Sequence, residues 1–149
     1  MKEIKIKYTE FKSGLFNEAA LLRYKILFEP YHKINKYTYD SLDRKSYHLV
    51  ALDQNKIVGY SRLTNINGKG KITNVFVIPE YENLKIGHKM LKKHIEKAIE
   101  KQLEMLYLNA RLSTINFYKK AGFIVEGKPY ISDKSGLTLQ NMIMNLTSK

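Results

Sequence analysis

The 149-residue chain has the length of one ordinary domain, and its 44% hydrophobic and 27% charged residues are typical of a globular protein. The absence of cysteine excludes disulfides, thiolate metal sites and a cysteine nucleophile, and no metal site is predicted. No apolar run is long enough to span a bilayer and the N-terminus lacks a signal-peptide pattern, so the sequence predicts a cytoplasmic protein without a membrane partner.

The formal net charge of +12 raises the question of a nucleic-acid partner. Only four of the 26 basic residues are arginine, the side chain whose planar fork pairs best with base edges. The lysines are scattered along the whole chain. We therefore interpret the charge as a general lysine bias and predict no nucleic-acid partner. The arginines are Arg23, Arg44, Arg62 and Arg111.

The first half of the chain predicts a strand, a helix and a run of antiparallel strands. Residues 3–8 alternate as a half-buried strand. Apolar residues at helical spacing predict a helix from about Gly14 to Phe28 that stops before Pro30. Residues 31–46 have no clean period and predict a loop with a short helix. Three strands joined by turns at Gln54-Asn55 and at "NGKG" are then predicted, namely residues 47–53, 56–64 and 71–77.

A β-α-β crossover is predicted around the segment "VFVIPEYENLKIGHKML", residues 75–91. The β-type run ends at Pro79 and helical spacing begins at Ile86, so the strand is predicted to pass straight into the helix through a turn with one proline and one glycine. Several apolar residues are predicted to share the buried face of this helix: Ile86, Met90, Leu91, Ile95, Ala98, Ile99 and Leu103.

The rest of the chain predicts a short parallel strand, a short helix and an antiparallel pair. The strand covers residues 105–109, and the helix covers residues 114–120 with Gly122 as a left-handed C-cap. Residues 123–127 and 137–146 form the closing pair. Antiparallel hairpins beside a parallel crossover predict an α/β fold with a mixed sheet and helices on both faces.

The turn before the long helix has the features of an anion site. Helix N-termini carry unpaired N–H groups and a partial positive charge, which together bind phosphate. Residues Leu84 to His88 occupy that place, Lys85 adds a full charge, and Gly87 lets a ligand approach the backbone. A pyrophosphate is one predicted occupant. The alternative is that Gly87 only eases packing between helix and sheet.

Two sequence motifs, one after the other along the chain, resemble those of the GNAT (N-acetyltransferase) superfamily. The resemblance extends over nearly the whole chain. Residues 75–91 resemble its Val-x-Val strand, proline and phosphate loop, and "INFYKKAGFIVEG" resembles its Phe-Tyr-x-x-x-Gly-Phe signature. "LRYKILFE" and "LNARLSTINFYKKAGF" are similar to the ElaA-like subgroup. The resemblance implies one GNAT-like domain over residues 1–149, with a mixed sheet of six to seven strands splayed at a bulge in the central strand.

The resemblance also implies acetyl-CoA as donor and a small-molecule or peptide amine as acceptor, with direct attack in a ternary complex. Glu82 stands where the family has arginine or glutamine, and Lys85 stands where it has its first glycine. Asn83, which tolerates left-handed backbone angles, is predicted to supply the lost flexibility. The implied coenzyme contacts are Val75, Phe76, Val77, Leu84, Lys85, Ile86, Gly87, His88, Arg111 and Asn116.

For catalysis, the resemblance implies Tyr118 as the general acid that protonates the thiolate; the alternative is a packed aromatic. His48 matches a histidine of the subgroup and is predicted as the general base, unless it is structural. Carboxylates acting through water are the other candidates for the base: Glu29, Asp40 and Asp43.

Three further expectations concern partners. Arg62 either anchors an acidic group of the acceptor or forms a structural ion pair, and residues Tyr31 to Asp43 are the candidate acceptor wall. A homodimer through the C-terminal strands is a further expectation. The alternative function is a catalytically weak or idle GNAT-fold protein that binds an acyl-CoA or a protein partner.

Overall fold

The computed structural model describes residues 3–31 and 40–147, which form one eight-stranded mixed sheet flanked by three α-helices. The strands lie in the order β1-β2-β3-β4-β5-β8-β6, and β7 pairs with the N-terminal end of β8. The predicted α/β fold with a mixed sheet is confirmed, with eight strands where six to seven were predicted. The strands are β1 (Ile4–Thr9), β2 (Ser46–Asp53), β3 (Lys56–Ile66), β4 (Lys69–Val77), β5 (Met105–Arg111), β6 (Ile124–Val125), β7 (Tyr130–Ile131) and β8 (Thr138–Asn145).

The first helix, α1 (Gly14–Arg23), covers one face of the sheet. The Ser13 hydroxyl caps it by accepting the amide of Phe16. Residues Tyr24–Phe28 continue it as a π-helical turn, in which the Glu29 amide donates five residues back to the Tyr24 carbonyl. The predicted span to residue 28 is therefore helical, but its hydrogen-bond register widens after Arg23.

The other two helices, α2 (Ile86–Glu100) and α3 (Ile115–Ala121), cover the opposite face, so the prediction of helices on both faces is confirmed. The predicted place of Ile99 on the buried face of α2 is wrong, because its side chain is 59% exposed. His94 instead lies buried one turn after Met90 and one turn before Ala98.

Turn chemistry agrees with the sequence at two places. Asn67 and Gly68 both have positive φ, as a tight hairpin turn between β3 and β4 requires. Gly122 has φ 111° and ends α3 as predicted. The predicted closing pair is present as β6 and β8, whereas β7 was not predicted because two residues carry no detectable period.

The parallel pair β4 and β5 separates along its length. Its pairing runs only from Lys69 opposite Met105 to Lys71 opposite Tyr107. Beyond that level β5 continues to pair with β8 on its other side, up to Arg111 opposite Leu139. The two central strands therefore diverge toward their carboxyl ends, which confirms the predicted splay and leaves a cleft between them.

Candidate active site

A β-bulge lies on β4 at the edge of this cleft. Between the pairs Tyr60–Phe76 and Arg62–Thr73, β4 contains one residue more than β3, and Asn74 adopts φ 58° there. The Nδ2 atom of Asn74 is buried and has no hydrogen-bond partner among the described residues. An asparagine inside a β-type run was the available sequence signal, since asparagine tolerates the left-handed region.

The predicted coenzyme strand lies immediately after the bulge. Val75 is 36% exposed, Phe76 is buried in the core under α1, and Val77 pairs with Gly59 of β3. None of the three pairs with β5. The backbone edge of residues 75–77 that faces β5 is therefore open along the cleft.

The turn between β4 and α2 is longer than predicted. A six-residue 3₁₀-helical segment, Pro79–Leu84, separates the strand from α2, so the prediction that the strand passes straight into the helix is wrong. Pro79 starts this segment because its fixed φ suits a first helical position. The buried Tyr81 anchors it by donating a 2.6 Å hydrogen bond from its hydroxyl to Asp53 Oδ2.

The left-handed residue of this turn is Lys85, with φ 60° and ψ 26°, and not Asn83 as predicted. Lys85 immediately precedes α2, where the chain must reverse from the 3₁₀ segment into the helix. Its position is the one at which the resemblance expects glycine. The backbone geometry gives the physical reason, since glycine takes positive φ without steric cost.

Removing this strain gives a direct test. We expect Lys85→Gly to raise the free energy of unfolding by up to about 1 kcal/mol, because left-handed backbone strain is relieved. Lys89→Gly is the matched control. Lys89 lies inside α2, so this substitution should lower the free energy of unfolding by about 1 kcal/mol. Urea unfolding of both variants measures the difference, and equal destabilisation by the two substitutions would contradict the strain assignment.

The amides at the start of α2 are open to a ligand. No side chain caps this helix, in contrast to α1 with its Ser13 cap. A Cβ built on Gly87 would come no closer than 3.6 Å to another group, the Cζ atom of Phe117. Packing therefore does not require glycine at this position. The flanking side chains are exposed, namely Glu82, Leu84, Lys85 and His88.

Tyr118 lies on α3, next to Phe117, whose ring faces Gly87 at the start of α2. Tyr118 is 8% exposed, with Phe117 and Phe123 edge-to-face against its ring. Its hydroxyl makes no hydrogen bond to any described residue, and burial raises the pKa of Tyr118 to about 12. The phenol therefore stays protonated at neutral pH, as a proton donor must.

His48, the predicted base, lies on β2, and its side chain is fully buried. Its Nε2 lies 2.8 Å from the Asp43 carbonyl and its Nδ1 lies 2.7 Å from the Tyr60 hydroxyl. Burial lowers the pKa of His48 below its ordinary value. Both nitrogens are occupied within the fold, so neither is free to accept a proton from an amine in this arrangement.

A buried ionic cluster surrounds this histidine. Arg23 holds Asp43 with two hydrogen bonds of 2.9 and 2.7 Å, and Arg62 contacts the same carboxylate at 2.7 Å. Arg62 also pairs with Asp40 at 2.8 Å and donates from Nε to Thr73 Oγ1, one residue before the bulge. Arg62 thus forms a structural ion pair, one of its two predicted roles.

The candidate carboxylate bases differ in environment. Burial by itself raises the pKa of Asp43, but the hydrogen bonds and charge of Arg23, together with Arg62, hold that pKa below its ordinary value. Asp40 is 37% exposed and Glu29 is exposed. Most of the predicted acceptor wall, residues 32–39, lies outside the described residues.

The remaining predicted contacts, Arg111 and Asn116, are both exposed, one at the end of β5 and one in the first turn of α3. The sequence reasoning missed Arg23, Thr73 and Asn74. Arg23 sits at helical spacing among apolar residues of α1, and a charged residue on that face was the available signal.

Comparison with known proteins agrees with the fold. Residues 14–123 match the model of the acetyltransferase (GNAT) family. The chain belongs to this family and is an acyltransferase. A curated relative, the uncharacterized N-acetyltransferase YjcF of Bacillus subtilis, is 29% identical over 103 residues, which cover 69% of this chain and 74% of YjcF.

Solved structures share the fold at low sequence identity. Escherichia coli ElaA superposes with a TM-score of 0.78 at 20% identity, covering 97% of this chain and all of ElaA. A GNAT family acetyltransferase from Elizabethkingia anophelis, solved with acetyl-CoA bound, gives a TM-score of 0.72 at 21% identity, with 96% and 98% of the two chains covered. Within the described residues, no helix combines the length and apolarity needed to cross a bilayer.

Proposed function

We propose that this protein transfers the acetyl group of acetyl-CoA to a primary amine, by direct attack of the amine while both substrates are bound. The observation that carries the proposal is the open cleft between β4 and β5. It begins beyond the Lys71–Tyr107 pair and has the Asn74 bulge on one side, and the strand that carries the bulge leads through the Pro79–Leu84 segment to the uncapped start of α2.

The residues present fit the coenzyme. The open backbone edge of Val75 to Val77 would pair with the pantetheine amides, as a neighbouring strand would. The amides around the start of α2, from Leu84 to His88, where no side chain caps the helix, would hold the pyrophosphate. The unpaired Nδ2 of Asn74 at the bulge supports a polar ligand there, because buried donors normally have partners. Arg111 and Asn116, both exposed, remain proposed contacts at the rim.

When bound, acetyl-CoA supplies an activated thioester whose carbonyl carbon is open to attack. The backbone N–H groups near the bulge would stabilise the developing negative charge on the carbonyl oxygen. The Tyr118 hydroxyl would donate its proton to the sulfur as the C–S bond breaks. The attacking nitrogen would lose its second proton as the amide forms, and through solvent this proton would restore the Tyr118 hydroxyl. The acceptor ammonium must lose its proton first, and we assign this proton to water at the cleft mouth, because both His48 nitrogens are occupied.

A second function, an acyl-CoA-binding domain without significant catalysis, is favoured by one observation. Glu82 is exposed on the turn that would face the pyrophosphate, and its carboxylate would repel that group. The positive charge of the exposed Lys85 acts in the opposite direction. An acetyltransferase should release CoA when a suitable amine is added, whereas an acyl-CoA-binding domain should not. Both should bind acetyl-CoA.

Two measurements test the proposal. Calorimetric titration should give saturable binding of acetyl-CoA, and CoA release should rise when members of a panel of primary amines are added. Binding without release for any amine would favour the acyl-CoA-binding domain. Absence of binding would overturn both functions.

Gly87→Ala separates ligand binding from folding. We expect the free energy of unfolding to stay equal or to rise by up to about 1 kcal/mol, because alanine is the better helix former and its Cβ has room. The dissociation constant for acetyl-CoA should rise at least about tenfold, which is 1.4 kcal/mol, because the methyl group displaces the diphosphate from the amides.

Gly14→Ala is the matched control, since Gly14 also begins a helix and a Cβ there would meet nothing within 4 Å. It should leave acetyl-CoA binding unchanged. Equal affinities of the Gly87→Ala protein and the native protein would remove the α2 amides from the proposed site.

Three other expectations accompany the proposed function. A single domain over residues 1–149, a homodimer through the C-terminal strands and a cytoplasmic location all stay predictions. Size-exclusion chromatography with light scattering tests the second, with a mass of about twice 17.4 kDa expected.

A further inference from the structure

A half-buried lysine lies where β4 and β5 separate. Lys71 is the last residue of β4 that pairs with β5, and its partner is Tyr107. Their neighbours Ile72 and Leu106 are buried in the core beneath α2 and α3. Because side chains alternate along a strand, Lys71 and Tyr107 lie on the opposite face, at the closed end of the cleft.

The charge of Lys71 has no counter-charge within residues 3–31 and 40–147. Among the described residues no carboxylate forms an ion pair with its ammonium. Residues 32–39, "HKINKYTY", contain no aspartate or glutamate that could do so. Arg62, the nearest arginine in sequence on the same sheet face, is neutralised by Asp40 and Asp43.

The surroundings of Lys71 increase this imbalance. Burial, followed by the positive charges of Lys134 and Arg62, lowers the pKa of Lys71. Lys134 belongs to the turn between β7 and β8, where the Ser132 hydroxyl accepts its amide. Because Arg62 has its own carboxylates, Lys134 is the neighbouring cation that adds most to this cost, and a bound anion would offset the cost of holding the half-buried Lys71 ammonium.

Tyr107 provides a hydrogen-bond donor beside this cation. Its side chain is half-buried, and its hydroxyl makes no hydrogen bond to any described residue. Burial raises its pKa, so the hydroxyl keeps its proton near neutral pH. An ammonium and a phenol from adjacent strands, with a second ammonium from a nearby turn, form a set of donors suited to a carboxylate or a phosphate.

We propose that the amine acceptor carries an anionic group, a carboxylate or a phosphate, which binds to the Lys71 ammonium and the Tyr107 hydroxyl with Lys134 at the rim. This inference rests on the proposed acetyl transfer. It assigns the group to the acceptor because Lys71 lies on the sheet face opposite α2, whereas the diphosphate is proposed to bind at the start of α2.

Binding is measured at the lysine itself. In protein saturated with CoA, so that the α2 amides are filled, the ¹³Cε NMR signals of lysine are followed at constant ionic strength. The probes are inorganic phosphate and β-alanine. We expect a saturable shift of the Lys71 signal, assigned by its loss in Lys71→Gln, and no shift of Lys69, an exposed lysine on the same face of β4. A Lys71 signal that no probe moves would overturn the inference.

Acceptor preference is measured with two matched pairs, β-alanine with β-alaninamide and phosphoethanolamine with ethanolamine. CoA release should give the anionic member of one pair a kcat/KM roughly tenfold higher or more, since hydrogen bonds to charged groups are the stronger ones. The pair that shows the preference identifies the anion. Lys71→Gln should bring the ratio close to one, and Lys69→Gln should not change it.

The outcomes separate this inference from the function on which it rests. If acetyl-CoA does not bind, the proposed function fails. If neutral amines are acetylated while the anionic partners have no advantage, acetyl transfer stands and the anion site is wrong. Should Lys71→Gln fail to fold, Lys134→Gln is expected to lower the same ratio, and an unchanged ratio would count against the site.

Discussion

Replacing Asp43 with asparagine is expected to lower the free energy of unfolding by about 3–5 kcal/mol, the largest stability effect we anticipate for this protein. The carboxylate is fully buried and is shared by two buried arginines, Arg23 and Arg62. Removing its charge weakens the compensation of two buried guanidinium groups in a low-dielectric interior, since Arg62 then keeps only the partly exposed Asp40 among the ion pairs of this cluster. Urea unfolding monitored by circular dichroism measures the loss.

Asp40→Asn is the matched control for this prediction. Asp40 contacts the same Arg62, but its side chain is 37% exposed, so its loss should cost no more than about 1 kcal/mol. If both substitutions lowered the free energy of unfolding by similar amounts, the contribution of these ion pairs to stability would not depend on the burial of the carboxylate.

The same cluster determines part of the acid sensitivity. Asp43 has a lowered pKa in the folded state, so its contribution to stability is complete above the ordinary aspartate pKa of about 4 and is lost as the pH falls through the folded value. The unfolding free energy of Asp43→Asn should therefore depend less steeply on pH below about 4 than that of the native protein.

Replacing Tyr118 with phenylalanine is expected to lower kcat for CoA release by about 10²–10⁴-fold, the range typical of a lost general acid. The dissociation constant for acetyl-CoA should change little, since the ring and its contacts with Phe117 and Phe123 remain. The free energy of unfolding should not fall, because the removed hydroxyl has no hydrogen-bond partner among the described residues.

Tyr130→Phe serves as the control, because Tyr130 is 37% exposed on β7 and lies outside the proposed site. Its kcat should match that of the native protein. A Tyr118→Phe enzyme that keeps more than half of the native kcat would show that Tyr118 only packs, and the proton would have to come from another group.

The predictions that agree with the structure are mainly those that depend on residues close together in the sequence. Most helix and strand periods, the Asn67-Gly68 turn and the Gly122 cap were correct, because each depends on residues a few positions apart, whereas the place of Ile99 and the two-residue strand β7 were not predicted. The turn before α2 was predicted less well. A 3₁₀ segment leaves no periodic signal over six residues, and the choice of Lys85 over Asn83 for the left-handed angle depends on where the helix axis must begin.

The candidate site divides in the same way. The strand, the phosphate loop and Tyr118 were found from motifs, since those residues lie within short stretches of sequence. The surroundings of His48 were not predictable, because Tyr60 and Asp43 reach its two nitrogens from different elements. The same holds for Lys71, because only the packing of the strands and turns shows that no described carboxylate pairs with its ammonium.

Patterns within the chain are thus enough to predict the mixed α/β fold, the GNAT resemblance and the crossover beside the proposed coenzyme cleft. The pairing of charges is seen only in the folded protein, where Arg23 and Arg62 contact Asp43 across 20 and 19 positions of sequence. Local patterns record backbone preferences and solvent exposure within one element. Charge pairing and burial are instead set by which elements pack against each other, so they become visible only in the folded chain.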